Sequence, residues 1–263
     1  MTRPRILLTN DDGVHAAGLL AAYEALSEVA DVTVVAPTSQ CSGFSHKLTL
    51  DRPLRAYPLR DLPGYRVEVT PVDCVKVALK ELLPEPPDLV VSGINRGLNA
   101  GMLVHYSGTV AAAIEATLNG VPALAVSLGV GAAEPDFSGP AAVTAQVAQG
   151  LLENPLGTDV VLNVNFPRGP RAEWRGLCWC RLSKASLDDS YERRLDPRGR
   201  PYYWLSGDLS ELTGDEPEDD LTLLRDRYVT VTPLQVDWTA GEALDARAPW
   251  SAALAKTIPG EAR

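Results

Sequence analysis

Apolar runs of strand length alternate along the chain with stretches whose apolar residues recur at helical spacing. The first run, Arg5-Ile6-Leu7-Leu8-Thr9, passes through a polar turn into an alanine- and leucine-rich helix predicted from about Ala17 to Val29. Further strands are predicted at Asp31 to Ala36, Tyr65 to Thr70, Asp88 to Ser92, Ala123 to Ser127 and Val160 to Asn165, with helices at Cys74 to Leu83, Gly108 to Asn119 and Ala141 to Leu152. Near-continuous apolar strands separated by helices bury both faces of a sheet. The pattern therefore predicts an α/β fold, a three-layer core in which a mostly parallel sheet is covered by helices on both faces. Beyond Pro167 helical spacing gives way to aromatic and charged residues with Gly/Pro turns, from Trp174 through Tyr202-Tyr203-Trp204 to Tyr228-Val229-Thr230-Val231. This predicts a C-terminal β-hairpin-rich extension and a final helix at about Ala240 to Lys256, dividing the chain into a core of residues 1–167 and an extension of 168–263. Aromatic hairpins that do not fold back onto their own core pair with something else, and a second subunit is the simplest partner.

Composition narrows the class. With 263 residues the chain can bury a sizeable core, and its formal net charge of −10 argues against a polyanion-binding surface, which needs clustered Lys and Arg. No apolar run reaches the roughly 18 residues of a membrane span, and Met-Thr-Arg-Pro leads straight into a strand, so a cytoplasmic protein is expected, with no membrane and no nucleic-acid polymer as stable partner. Four scattered cysteines suit neither a disulfide framework nor a zinc site. Much of the acidic excess lies between Asp208 and Asp220, where apolar periodicity vanishes and a solvated loop is expected.

The chemistry collects where strands end. Asn10-Asp11-Asp12-Gly13 follows the first strand, and ligands of open parallel sheets bind outside the carboxyl ends of strands. The same four residues also suit an ordinary tight turn. After the second strand, Pro37 to His46 is rich in hydroxyls and glycine, and can deliver a Ser oxygen to a hard cation. Ser92 to Gly101 carries glycines for close backbone approach and two asparagines with carbonyl oxygens to offer. His105-Tyr106-Ser107-Gly108-Thr109 leads into an alanine-rich helix, where Ser107 serves as a cap and free N–H groups make an anion site. Two carboxylates, an amide oxygen and a hydroxyl form an all-oxygen shell that suits one divalent ion, Mg²⁺ or Mn²⁺. The three histidines, His15, His46 and His105, each fall in one of these loops, and His46 is the preferred candidate for lining the site.

These residues resemble the SurE family of survival-protein nucleotidases. The resemblance runs through Thr9-Asn10-Asp11-Asp12-Gly13-Val14, Ser42-Gly43, Thr70-Pro71-Val72-Asp73, Ser92-Gly93-Ile94-Asn95 with Gly97 and Asn99, Ser107-Gly108-Thr109-Val110, Asn163-Val164-Asn165-Phe166-Pro167 and Val231-Thr232-Pro233-Leu234, in family order over nearly the whole chain. It implies a metal-dependent phosphatase, a 5′-nucleotidase that converts nucleoside monophosphates to nucleoside and phosphate, with 3′-monophosphates and short polyphosphate as open possibilities. It further implies a Rossmann-like core and a homodimer or homotetramer with exchanged C-terminal elements. The family's metal ligands carry over onto Asp11, Asp12, Ser42 and Asn95. Substrate contacts carry over onto Asn10, Asn99, Ser107, Gly108 and Thr109, and the catalytic set is Asp11, Asp12, Ser107, Thr109 and His46. The family also has Asn at the position of His46, and commonly an Asp where this chain has Thr38.

Two rival readings are set against this one. In the first, the same loops form a non-catalytic nucleotide- or phosphate-binding module. In the second, one Asp is a nucleophile, as in haloacid dehalogenase phosphatases, whose acids stand two residues apart; here they are adjacent, which favours direct attack by water. A dinucleotide oxidoreductase is disfavoured because the first β-α turn lacks Gly-x-Gly-x-x-Gly.

Overall fold

The computed structural model describes residues 3–131, 133–185, 190–206, 214 and 216–246. In chain order the elements are β1 (Arg5–Thr9), α1 (Ala17–Ser27), β2 (Asp31–Pro37), β3 (Ala56–Pro58), β4 (Gly64–Val67), α2 (Pro71–Val77), β5 (Leu89–Arg96), α3 (Gly108–Leu118), β6 (Ala123–Leu128), α4 (Ser138–Glu153), β7 (Val160–Phe166), β8 (Gly176–Trp179), β9 (Ser190–Leu195), β10 (Pro201–Ser206), α5 (Asp220–Arg225), β11 (Tyr228–Gln235) and α6 (Gly241–Asp245). The main sheet runs β3-β4-β2-β1-β5-β6-β7-β11-β8. From β4 to β7 in that order the strands are parallel, whereas β3 runs antiparallel to its neighbour β4 and β11 runs antiparallel to its neighbour β7.

Strand alternation explains the three layers. On β1, Ile6 and Leu8 pack into the core shared with α1 and α4, while Leu7 points into the core shared with α2 and α3. Alternating side chains on a strand covered on both faces all enter a core, which is why the strands read as nearly continuous apolar runs. Burying each such Leu stabilises the fold by roughly 1.5–3 kcal/mol, so the sheet centre is the rigid part on which the loops at its carboxyl edge are mounted.

Several local expectations shift. The strand expected to reach Thr70 stops at Val67, because Thr70 and Asp73 form a reciprocal capping box with Pro71 at the first helical position, and the helix begins there rather than at Cys74. The segment from Ser92, read as loop, continues as strand to Arg96. Its register against β6 shifts between Ser92 and Asn95, a bulge made possible by Gly93, whose φ is +138° and where a Cβ would lie 2.3 Å from the Val126 carbonyl oxygen. The Gly93–Ile94 peptide bond is cis.

The sheet does not end at residue 167, since β11 and β8 extend it, and Trp174 folds back onto Phe166 with ring centroids 5.1 Å apart. Only β9 and β10 stand apart, as an antiparallel hairpin. The acidic stretch expected to be solvated ends in two buried carboxylates: Asp219 caps α5, and Asp220 accepts from the backbone amides of Gly101 (2.8 Å) and Ser183 (2.9 Å). The final helix appears as α6, and the remainder of that expectation, from residue 247 onward, lies outside the described residues.

Candidate active site

The turn after β1 is closed by its own asparagine. Asn10 Nδ2 donates to the Gly13 carbonyl (2.9 Å) and the Gly13 amide donates to Asn10 Oδ1 (3.2 Å), with Asn10 fully buried. This side chain shapes the loop, and both ends of its amide are engaged in doing so. The two acids that it presents are held from different directions. Thr109 Oγ1 donates to Asp11 Oδ1 at 2.5 Å, and the Arg96 amide donates to Asp12 Oδ2 at 2.9 Å. Asp11 is thereby tied to α3 and Asp12 to the end of β5.

The start of α3 is pressed against Asp11. Gly108 makes this approach possible, because a Cβ there would lie 3.0 Å from Asp11 Cβ and 3.1 Å from its Oδ2. Ser107 caps the helix by accepting from the Val110 amide at 3.1 Å, leaving the Gly108 amide as a donor at the positive end of the dipole. Thr109, fully buried, gives its hydroxyl to Asp11 and so holds the acid in place.

The other two oxygen donors arrive on neighbouring segments. The Cys41 amide donates to the Asp11 carbonyl at 2.8 Å, hooking the loop after β2 onto the acidic turn and bringing the exposed Ser42 beside it. Ser42 Oγ accepts from Gln40 Nε2 at 2.9 Å. Asn95 Nδ2 donates to the Gly97 carbonyl at 2.9 Å, which leaves its Oδ1 as the end of the amide offered outward. Asn99 is anchored more deeply: its Nδ2 reaches Ser127 Oγ (2.8 Å), its amide reaches Asn165 Oδ1 (2.9 Å), and its carbonyl accepts from both Asn163 and Asn165.

Burial pushes the Asp11 carboxyl up to about 6, against the lowering effect of the Thr109 hydrogen bond and with a further upward push from Asp12. Asp12 is also raised by burial, partly offset by the amide and charge of Arg96. Adjacent, partly desolvated carboxylates are costly as anions unless a cation neutralises them. With the Asn95 carbonyl and Ser42 hydroxyl, the donor set is entirely hard oxygen, so these residues fit a divalent ion of the Mg²⁺ or Mn²⁺ type.

The histidines separate. His15 is exposed at the start of α1, while His46 and His105 line a cavity of about 520 Å³ that opens at Ser107. His46 Nε2 lies 3.0 Å from Glu115 Oε2, and Glu115, on α3, also accepts from Lys76 Nζ (2.6 Å) and Asn119 Nδ2 (2.9 Å). Those three partners hold the Glu115 carboxyl down to about 2, overcoming the opposite pull of burial. Glu115, Asn163, Asn165 and Asp220 were not singled out as site supports from sequence. A signal existed for the asparagines, which alternate on an otherwise apolar buried strand and so share one face.

Two adjacent carboxylates at the carboxyl edge of a parallel sheet, a hydroxyl and an amide oxygen beside them and a helix N-terminus aimed at the group define a class: an α/β protein equipped to hold a hard cation next to an anion. The chain belongs to the Survival protein SurE family, which it matches over residues 6–189. It is 48% identical over 255 residues to the 5′-nucleotidase SurE of Alkalilimnicola ehrlichii, covering 95% of this chain and 96% of that one. With the 5′-nucleotidase SurE of Desulforudis audaxviator it shares 42% identity over 253 residues, covering 94% and 97% respectively. The crystal structure of the SurE protein from Aquifex aeolicus superposes with a TM-score of 0.82 at 35% identity, covering 92% of this chain and 98% of that chain.

Proposed function

We propose that this protein is a metal-dependent 5′-nucleotidase that hydrolyses nucleoside 5′-monophosphates to nucleoside and phosphate. The observation that carries this reading is the Asp11–Asp12 pair pressed against the N-terminus of α3, which places anion-binding amides beside cation-binding carboxylates. The names of the relatives support the nucleotide substrate. Asp11, Asp12, Ser42 and Asn95 would hold one Mg²⁺ or Mn²⁺. When bound, such an ion acidifies water and offsets charge on a phosphoryl group.

The chain's own residues do the rest. Ser107 and the Gly108 amide orient phosphate oxygens at the helix start, so that part of the barrier is removed by positioning before reaction. Thr109 and the Arg96 amide immobilise the acids, and Asn163, Asn165 and Ser127 fix the Asn99 loop. Hydrolysis is attack of a water on phosphorus with departure of the nucleoside oxygen; adjacency of the two acids favours this over a phospho-aspartate. The reading extends to 3′-monophosphates and short polyphosphate as further substrates, to a cytoplasmic protein, and to a homodimer or homotetramer in which residues 168–263 exchange elements around cores of residues 1–167. In support, among the described residues no helix is long and apolar enough to cross a membrane, and the β9–β10 hairpin exposes its aromatics.

The test is phosphate release from 5′- and 3′-nucleoside monophosphates with chelator, Mg²⁺ or Mn²⁺, using wild type, Asp11→Ala, Asp12→Asn and Asn95→Ala. Turnover should require the metal and fall at least a hundredfold in each variant while the fold, followed by circular dichroism, is retained. Metal-loaded wild type that binds nucleotide without turnover would leave the binding-module reading in its place.

A further inference from the structure

The cavity that Ser107 helps to line brings together groups of different chemistry. Ser107 caps α3, and its hydroxyl at the helix N-terminus suits phosphate. Val104, Ile114, Leu182 and Leu234 contribute apolar surface suited to a flat base, beside charged side chains such as Lys184 and Asp219. A volume of about 520 Å³ lies within the range of small-molecule sites and exceeds what a phosphate alone needs. His46 is a polar group in the wall of this cavity, held by both its loop and its ring. Its loop is hooked to the segment before α3, with the Ser45 hydroxyl donating to the His105 carbonyl at 2.7 Å and the Ser45 amide donating to the Tyr106 carbonyl at 3.3 Å. Its ring is fixed from below by Glu115.

Glu115 is only 3% exposed and gathers three elements: the loop of His46, α2 through Lys76, and the end of α3 through Asn119. Because Lys76 and Asn119 supply donors of their own, the carboxylate stays ionised and can only accept. Nε2 of His46 must therefore carry the hydrogen, and the other ring nitrogen, Nδ1, has no partner among the described residues. In the neutral imidazole Nδ1 is an acceptor with fixed direction, suited to a hydroxyl or N–H donor on a ligand lying in the cavity.

Resting on the nucleotidase reading, we infer that this cavity is the nucleoside subsite, that His46 accepts a hydrogen bond from the nucleoside through Nδ1, and that Glu115 is the positioning residue that sets its tautomer and direction. His46 thus serves recognition rather than proton transfer to the leaving oxygen. An Asn side chain at this position would present an acceptor of the same kind.

The experiment compares a nucleoside 5′-monophosphate with ethyl phosphate, whose alkoxide leaving group is similarly poor but which has no nucleoside. Wild-type turnover of the nucleotide tests the enzymatic reading by itself; the ratio between the two substrates in the variants tests the subsite. In His46→Ala, kcat/KM for the nucleotide should fall about 10- to 100-fold, chiefly through KM, the range expected for losing one buried hydrogen bond, with ethyl phosphate within twofold of wild type. Inhibition by adenosine should weaken by the same factor. His46→Asn should restore much of the loss. Glu115→Gln should move the nucleotide in the same direction, and the double variant His46→Ala/Glu115→Gln should be no worse for the nucleotide than His46→Ala alone. Parallel losses on both substrates in His46→Ala, or an unchanged nucleotide KM, would overturn the subsite; additive losses in the double variant would overturn the role of Glu115.

Discussion

The side chain that residue 108 lacks would fall 3.0 Å from Asp11 Cβ and 3.1 Å from its Oδ2, in the space where the acid meets the helix. Gly108 does not adopt a left-handed backbone angle, so alanine is acceptable to the helix and is the better helix former by up to about 1 kcal/mol. The two effects separate stability from function. Gly108→Ala should leave the melting temperature unchanged or slightly raised, while displacing Asp11 and lowering metal-dependent turnover at least tenfold. A variant with wild-type turnover would show that the contact does not position the acid. At this scale the sequence was legible for residue type and not for these contacts: Gly108 and Thr109 were read as phosphate contacts, and their meeting with Asp11 was not foreseen. Their proximity to Asp11, 97 and 98 positions earlier in the chain, follows from packing α3 against the strand ends.

Along α3 the same helix serves two ends. Its N-terminus faces the acids, and Glu115, two turns later, pins the loop that carries Ser42 and His46. The lowered carboxyl makes this a pH-dependent tie with a definite sign. With an unfolded value of 4.5 and a folded value of about 2, the stabilisation is fully present above roughly pH 5 and is lost as pH falls from there towards 2. After discounting for the half-exposed Lys76, the contribution is on the order of 1–3 kcal/mol. Urea unfolding at pH 7 and at pH 3.5 should show Glu115→Gln less stable by about that amount at pH 7, with the gap narrowing at the lower pH; a constant gap would refute the linkage. Elements themselves were largely predictable from apolar spacing. The exceptions were local: Thr70 looked like a β residue until its capping partner Asp73 was in place, and β5 outran its apolar run because a glycine let the backbone bulge without leaving the sheet.

For the whole molecule, the outstanding unsatisfied surface is the β9–β10 hairpin. Strand pairing sets Tyr191, Leu195, Tyr203 and Leu205 on one face, each more than half exposed, with Arg193 opposite Tyr203, while Glu192, Arg194 and the exposed Trp204 lie on the other face. A largely apolar, exposed face of this kind supports the proposed association with a second copy of the chain, and the overall charge of −10 makes non-specific association the less favoured outcome. Sedimentation should find a species of at least two chains, and Tyr203→Asp with Leu205→Asp should shift it towards monomer without altering the far-ultraviolet spectrum. A monomeric wild type would remove the hairpin as an association surface.

Sequence alone determined what depends on near neighbours: which runs become strands or helices, that the strands are buried on both faces, and that carboxylates, hydroxyls and amides stand at strand ends. These follow from periodicity and capping, which act over a few residues. Only the tertiary structure decided which groups meet. Thr109 holds Asp11, Asn163 and Asn165 hold Asn99, Asp220 holds Gly101, and Glu115 holds His46, all across separations of dozens of residues or more. The order of strands in the sheet and the alternation of their faces set those encounters. A buried polar group takes whatever partner the packing brings within about 3 Å, and its identity is a property of the fold rather than of the neighbouring sequence.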